Sequence, residues 1–270
     1  MVTCDSRRDC SKIRLLHSDE RETIDPRHTW RCAMQQEIVN ERFFTALISG
    51  QRHDAREIVD QAITADCPAE RILTRLIWPT LQHIQHLYRA DQISALAHNF
   101  STRLMRSLAD QLQLRLETRP RRDERLFVVS GAEQSEELAA QIVSDLLEAD
   151  GYEVFYAGGG ITNDEIVAQI GQIKVDILVV FGAVPATVPV TRLLIDRLHD
   201  LGVCPNLQVV VGGGVFNRAD GLAEEIGADL WADDPEQLVE AVKDNPNQRM
   251  VPSQRTVGRR RRNVPKRDAA

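Results

Sequence analysis

The amino-acid sequence predicts an α/β fold in which an N-terminal helical bundle precedes a five-stranded parallel, doubly wound sheet. Two observations lead to this fold class. Apolar residues recur at helical spacing over residues 35–117. Short β-branched runs then alternate with amphipathic segments over residues 126–243. Such alternation is typical of a parallel sheet that helices cover on both faces.

Five regions follow from this pattern. Residues 1–33 are polar and aperiodic, and we expect a disordered leader. The amphipathic run MQQEIVNERFFTALISG begins at Met34, which is also an alternative first residue of the protein. The charged stretch TRPRRDER, residues 118–125, predicts a linker between the two domains. Residues 244–270 are polybasic and interrupted by prolines, and they predict a flexible tail.

The bundle, residues 35–117, divides into four or five helices. The first ends at Gly50. The second is HDAREIVDQAITAD, with Ala55, Ile58, Val59 and Ala62 on its apolar face. The third begins at Pro68, and Pro79 is expected to interrupt or kink it. The last runs from about Ile93 to Leu116, and its predicted apolar stripe is Leu96, Phe100, Leu104, Leu108 and Leu112.

The second half contains five predicted strands, namely LFVVS, YEVFYA, ILVVFGA, QVVVGG and a short LWA. The helices between them are SEELAAQIVSDLLEAD, NDEIVAQIGQI and VTRLLIDRLHDLG, and PEQLVEAVKD follows the last strand. Five strands in a segment of this length fit the flavodoxin-like order.

Composition limits the classes of function. The chain has a net charge of −7, yet residues 249–270 hold eight basic residues and one acidic residue. The acidic remainder argues against a general nucleic-acid binder. The tail, with RRRR at 259–262, could contact nucleic acid weakly, could contact an acidic partner, or could simply favour solubility.

The sequence shows neither a membrane-spanning run nor a secretory signal, so we expect a cytoplasmic protein with no membrane partner. Five irregularly spaced cysteines predict no disulfide framework.

Three loops should meet at the carboxyl ends of the strands, where doubly wound sheets bind their ligands. They are SGAEQSEEL, FGAVPAT and VGGGVFN. The glycines of the third loop, Gly212 to Gly214, allow either close approach to a ligand or only a tight turn. The third strand ends in Phe181 and Gly182 without an aspartate, which argues against phosphoryl transfer to this domain. The sequence shows no nucleophile–base pair, metal cluster or carboxylate dyad, so we predict no catalytic residues and no enzyme.

The order of bundle, linker and flavodoxin-like domain resembles the cobalamin-binding module of methionine synthase, corrinoid carrier proteins and cobalamin-dependent transcriptional regulators. The similarity covers residues 35–243. It is carried by FFTALISGQRHDAREIVDQAI, IWPTLQHIQHLYRADQI and, most specifically, GGGVFNRADGLAEEIGADLWADDPEQLV.

In that family the loop after the first strand carries D-x-H-x-x-G, whose His binds cobalt from below and whose Asp orients that His. The corresponding positions here are Gln134, Glu136 and Ala139, so all three depart from the motif. The resemblance also implies a pocket for the nucleotide tail of the ligand, with a Ser and a Thr after the third strand. Those places are Gly182 and Pro185-Ala186 with Val184 between them, while Gly212 and Gly213 are kept. A cobalt–histidine bond is excluded at its usual place.

The bundle side of the family has a W…E-H arrangement above the corrin ring. The corresponding positions are Tyr88, His98 and Asn99. His98 is therefore a candidate axial ligand for haem iron. The alternative is that His98, like His83 and His86, is a solvated polar position on a helix.

The sequence-based prediction is a sensory or regulatory protein that binds a corrinoid or another tetrapyrrole without the usual lower histidine. Its output would be contact with a protein partner, such as a transcription factor. Two alternatives stay open. One is a ligand-free scaffold on the same fold, in which side chains such as Gln134, Glu136 and Tyr88 fill the pocket, and the other is a corrinoid carrier protein of a methyltransferase system. The predicted cofactor is cobalamin or a related corrinoid, with haem or no cofactor as the alternatives.

Overall fold

A computed structural model describes residues 26–182, 184–218 and 221–250, with side chains from residue 36 onward except at 217 and 218. The chain divides into two compact units, Met1–Ile38 and Val39–Ala270. Helix α1, Pro26–Ile48, begins in the first unit, and the sheet and all later helices lie within the second. We expected α1 to begin at Met34; it begins at Pro26, since proline is well tolerated in the first helical turn. The rest of the predicted leader lies outside the described residues.

Four further helical segments complete the bundle: α2 (Arg52–Thr64), α3 (Ala69–Ile72), α4 (Trp78–Arg89) and α5 (Ala95–Gln113). A π-helical turn, Leu73–Ile77, joins α3 to α4 without a break. Pro79 therefore does not interrupt the run, and the alternative that it kinks the run stays a prediction. The wider turn before it accommodates the proline ring, and the Thr80 hydroxyl donates to the Leu76 carbonyl oxygen at 2.7 Å.

The apolar stripe predicted along α5 is correct only for its second half. Leu104, Leu108 and Leu112 are buried, but Leu96 is 62% exposed and Phe100 is 45% exposed. Residues spaced by four drift about 40° around a helix at each step. Over the length of α5 that drift carries the first two residues away from the core. The buried face of the first half is formed instead by His98, Ser101 and Thr102.

The sheet consists of β1 (Arg125–Ser130), β2 (Glu153–Gly158), β3 (Ile177–Phe181), β4 (Gln208–Gly212) and β5 (Leu230–Ala232). All neighbours are parallel, in the order β2-β1-β3-β4-β5. This confirms the predicted flavodoxin-like fold. The covering helices are α6 (Gln134–Ala149), α7 (Asn163–Ile173), α8 (Thr187–Leu201), α9 (Gly214–Arg218), α10 (Leu222–Ile226) and α11 (Pro235–Asp244).

The two faces of the sheet have separate cores. On one face, α7, α8 and α10 pack over β1, β3 and β4. On the other face, the buried side chains of α6 and α11 form one continuous apolar cluster with the helical bundle. The bundle is therefore packed directly on the sheet domain. The carboxyl ends of the strands lie beside this shared core.

The predicted linker is fixed to the sheet domain by its arginines. Arg119 and Arg122 both donate to the carboxylate of Asp150, whose side chain is only 4% exposed, and the Arg122 bond measures 2.6 Å. The Arg122 guanidinium also lies 4.6 Å from the centre of the Tyr152 ring. Burial of Asp150 at the end of α6 requires these partners. Proline and charge in the sequence indicated a linker but gave no sign of this attachment.

The beginning of the predicted flexible tail is also bound to the domain. The Asp229 carboxylate accepts from the backbone N–H of Met250 at 2.6 Å and from that of Val209 at 2.7 Å. The Arg249 guanidinium donates to the Asn206 carbonyl oxygen at 2.6 Å. Residues 245–250 are thus part of the folded structure. The remainder of the tail, including RRRR at 259–262, lies outside the described residues.

Candidate functional site

The three loops singled out in the sequence meet at the carboxyl ends of β1, β3 and β4. The Gly131 N–H donates to the Phe181 carbonyl oxygen at 3.1 Å, and the Gly182 N–H donates to the Gly212 carbonyl oxygen at 2.9 Å. The crevice between the β1–α6 loop and the β3–α8 loop is the point where the strand order reverses. Ligands of open α/β sheets characteristically enter at this point. We refer to it as the switch crevice.

Glu136 closes the switch crevice. It stands in the first turn of α6, where its carboxylate accepts from the Glu133 N–H at 3.3 Å as part of a capping box. The other carboxylate oxygen accepts from the Val184 N–H at 3.1 Å and from the Thr187 hydroxyl at 3.4 Å. With its side chain 1% exposed, Glu136 connects the two loops across the crevice.

The predicted glycines serve the close packing of the strand ends. Gly213 has a φ of +106°, and a Cβ there would clash with the carbonyl oxygen of Gly182. A Cβ at Gly182 would lie 2.9 Å from the Thr187 methyl group. The sequence left open whether these glycines allow close approach to a ligand or only a tight turn. Among the described residues, a tight turn is enough to account for the contacts.

Phe181 fills the space next to Gly212. A Cβ on Gly212 would lie 2.8 Å from the Phe181 ring, which is 1% exposed. The Trp78 ring, from the bundle, meets the Phe181 ring edge-on, with their centres 5.8 Å apart and their planes at 79°. Bundle and sheet domain thus share an aromatic contact beside the crevice.

The bundle residues of the predicted site form a stacked pair. The rings of Tyr88 and His98 lie 4.2 Å apart with 19° between their planes. His98 is 7% exposed, which corrects the solvated alternative for this residue, whereas His83 and His86 are exposed as that alternative expected. Burial lowers the pKa of His98, Glu133 raises it and Arg89 lowers it further.

Three predicted positions do not face the crevice. Asn99 is exposed on α5, and Gln134 is exposed at the start of α6, where its carbonyl oxygen accepts from Arg106 at 3.3 Å. Ala139 is 2% exposed within the core. Of the three places that correspond to D-x-H-x-x-G, only Glu136 reaches the loops. Gly182, Val184, Gly212 and Gly213 are all at the crevice or its edge.

The crevice is completed by Thr187, Phe181 and Trp78, none of which was predicted as a site residue. FGAVPAT contains the first two, yet no spacing pattern reveals that their side chains turn inward. Trp78 is distant in sequence and comes close only because the bundle packs on the sheet.

No group of three or more His, Cys, Asp or Glu residues able to hold a metal ion is present in the described part of the chain. A single axial ligand such as His98 is not tested by that finding and stays a prediction. Among the described residues, none of the helices combines the length and apolar character required to cross a bilayer.

Comparison with protein families gives two adjoining matches. Residues 39–113 match one B12 binding domain profile, and residues 124–243 match another. The chain belongs to the B12-binding domain family. The predicted recognition is therefore confirmed for both the helical cap and the flavodoxin-like domain, and the cofactor class it identifies is cobalamin or a related corrinoid.

Relatives within this family are corrinoid proteins. Monomethylamine corrinoid protein 2 of Methanosarcina acetivorans is 24% identical over 210 residues, or 75% of this chain and 94% of that protein. Dimethylamine corrinoid protein 1 of the same organism is 26% identical over 119 residues. That match covers 43% of this chain and 55% of the relative, so the chain spans about half of that protein.

A solved structure has the same fold. The monomethylamine corrinoid protein of Methanosarcina barkeri matches with a TM-score of 0.68 and 19% identity, over 77% of this chain and 99% of that chain. The similarity includes the helical cap as well as the sheet domain.

The residues at the switch crevice do not fit a corrinoid held from below by this B12-binding domain. A lower ligand would have to come from Glu136, whose carboxylate is buried and already accepts hydrogen bonds from Val184 and Glu133. A carboxylate is also a harder ligand than an imidazole. The space beside Gly212 is occupied by Phe181. The fold is that of the family, but the residues with which the family is expected to hold cobalt are replaced here, and of its nucleotide-tail positions only Gly212 and Gly213 are kept.

Proposed function

We propose that this chain is a corrinoid-binding protein of the carrier type, working as the non-catalytic component of a methyltransferase system. The observation that carries the proposal is the match to monomethylamine corrinoid protein 2, which covers 94% of that relative and includes both cap and sheet domain. The relatives are named for a corrinoid and not for a reaction, which agrees with the prediction that the chain is not itself an enzyme.

The proposed carrier function replaces the sensory or regulatory function that the sequence predicts. The relatives support the carrier alternative better, and they give no support to a transcription factor as partner. The partner that we propose is a methyltransferase, which would meet the chain at the cap side of the sheet domain. A cytoplasmic location and a corrinoid contact at Tyr88 and His98 remain part of the proposal.

A ligand-free scaffold is the second candidate, and one observation favours it. The buried side chains of the cap and of one sheet face form one continuous apolar cluster, to which Trp78 and Phe181 both belong. Glu136 is buried and hydrogen-bonded within it, as the scaffold alternative required. Gln134 and Tyr88, which that alternative also placed in the filled pocket, are instead exposed.

The absorbance spectrum of the desalted protein distinguishes the carrier function from the scaffold function. The full chain is incubated with hydroxocobalamin, adenosylcobalamin or hemin, desalted, and measured by absorbance. Corrin bands that remain with the protein at a molar ratio near one support the carrier proposal. Retention of hemin alone, shifted and lost in His98→Ala, overturns it in favour of the haem alternative. A colourless protein in all three samples overturns it in favour of the scaffold.

A further inference from the structure

The switch crevice is occupied by side chains of the protein itself. The Glu136 carboxylate lies between the two loops and the Phe181 ring lies against Gly212, and each side chain is 1% exposed. A group that entered from a ligand would have to displace both. Its entry would take the acceptor away from the Val184 N–H and would remove Phe181 from its contact with Trp78.

Both displacements oppose insertion. The Val184 N–H and the Thr187 hydroxyl, both partly buried, would lose their acceptor, and a donor shielded from water is destabilised when it is left unpaired. If the Glu136 carboxylate moves to another buried position, it can stay charged only where new hydrogen-bond donors surround it. Moving a buried aromatic ring gives up its packing as well. The structure therefore stabilises the closed crevice on two independent sides.

We propose that Glu136 and Phe181 make this chain a binder of the corrin ring alone, indifferent to whether the corrinoid carries a nucleotide tail. The inference rests on the proposed function and specifies its ligand class: complete and tail-less corrinoids bind with similar affinity. Recognition is left to surfaces outside the crevice. The Tyr88 ring, 38% exposed and supported by His98, is one such aromatic surface.

The first test compares two corrinoids on the unmodified full chain. Hydroxocobalamin carries the tail, and aquocobinamide lacks it. Dissociation constants are measured by absorbance titration. We expect the two constants to differ by less than about tenfold, since tenfold corresponds to about 1.4 kcal/mol and an inserted, buried group contributes more than that.

The outcomes are distinguishable from those of the proposed function. Preference for hydroxocobalamin by more than about tenfold overturns this inference and leaves the carrier proposal standing. Failure of both corrinoids to bind overturns both.

A spectroscopic readout is independent of affinity. The protein is labelled with ¹⁵N, loaded with unlabelled cobalamin and reduced to Co(II). Nitrogen on cobalt splits the electron paramagnetic resonance lines, and ¹⁵N gives a different pattern from ¹⁴N. We expect the same pattern from labelled and unlabelled protein, because the sheet domain offers no nitrogen at Glu136. The expected pattern is the triplet from the tail's own nitrogen in both samples. A ¹⁵N doublet, whichever residue supplies it, means that the protein displaces the tail from cobalt, so that binding depends on the tail and the inference is overturned.

A matched pair of variants tests the role of Phe181. Phe181→Ala opens space in the crevice, whereas Phe127→Ala removes a buried ring from the opposite face of the sheet. We expect Phe181→Ala to increase the preference for hydroxocobalamin over aquocobinamide relative to Phe127→Ala. Equal preferences in two folded variants overturn the assignment to Phe181. Should Phe181→Ala fail to fold, Phe181→Leu provides a smaller opening for the same comparison.

Discussion

The Glu136 carboxylate accepts a hydrogen bond from the backbone N–H of Val184 at 3.1 Å, and this contact joins the β1–α6 loop to the β3–α8 loop. The two residues are 48 positions apart in the chain. In the family's sequence pattern the position of Glu136 belongs to a metal ligand, whereas here it is part of the internal hydrogen bonding of the domain.

Glu136→Ala should lower the free energy of unfolding by about 3 kcal/mol, because it leaves the Val184 N–H and the Thr187 hydroxyl without their buried acceptor. Urea denaturation measures the change. The matched control is Glu165→Ala, which removes the corresponding capping-box residue of α7 at an exposed position. A loss for Glu136→Ala no larger than that of the control would show that the cross-loop contact contributes nothing.

Asp145 should make the protein less stable as the pH rises. Burial raises the pKa of Asp145 to about 7, with further increases from Glu148 and Asp110, while a hydrogen bond from Gln141 lowers it. Between pH 4 and pH 7 the folded state binds a proton that the unfolded state has released, so the free energy of unfolding falls across this window. The destabilisation is complete above pH 7 and absent below pH 4.

Asp145→Asn should therefore be more stable than the parent protein at pH 8, by on the order of 4 kcal/mol at most, and nearly equal to it at pH 4. Thermal or urea unfolding at a series of pH values measures the difference. Asp164→Asn, at an exposed position, provides the control and should show no such trend. A difference between Asp145→Asn and parent that stays constant with pH would contradict the prediction.

Arg122→Ala should destabilise the protein by about 2 kcal/mol, because the buried Asp150 carboxylate loses its better-buried partner. Residues 114–124 should also become more sensitive to limited proteolysis, which peptide mapping detects. The comparison variant is Arg75→Ala, which breaks an exposed ion pair with Glu236 and should have little effect. Equal effects of the two substitutions would argue against attachment of the linker through Asp150.

Gly213→Ala should cost more than about 2 kcal/mol, because its positive φ and its contact with the Gly182 carbonyl both exclude a Cβ. Gly202 also has a positive φ, but a Cβ there would meet nothing within 4 Å. Gly202→Ala should therefore cost only about 1 kcal/mol, from backbone strain alone. Chemical denaturation of both variants measures the difference, and similar costs would contradict close packing at Gly213.

Much of the architecture could be predicted from the sequence because it depends on local patterns. The alternation of β-branched runs with amphipathic segments determined five parallel strands and their covering helices. The stretch GGGVFNRADGLAEEIGADLW carried the family resemblance. The substitution at Glu136 was equally visible, because a motif position can be read without coordinates.

Only the tertiary structure decided the relationships between residues that are distant in the sequence. The sequence could not show that the Glu136 carboxylate turns toward Val184 and Thr187, or that Phe181 meets Trp78 of the cap. It placed Leu96 in the core, whereas packing buries His98 instead. The physical reason is the same in each case. Periodicity fixes the face of an element on which a residue lies, but burial and hydrogen bonding depend on which other element packs against that face.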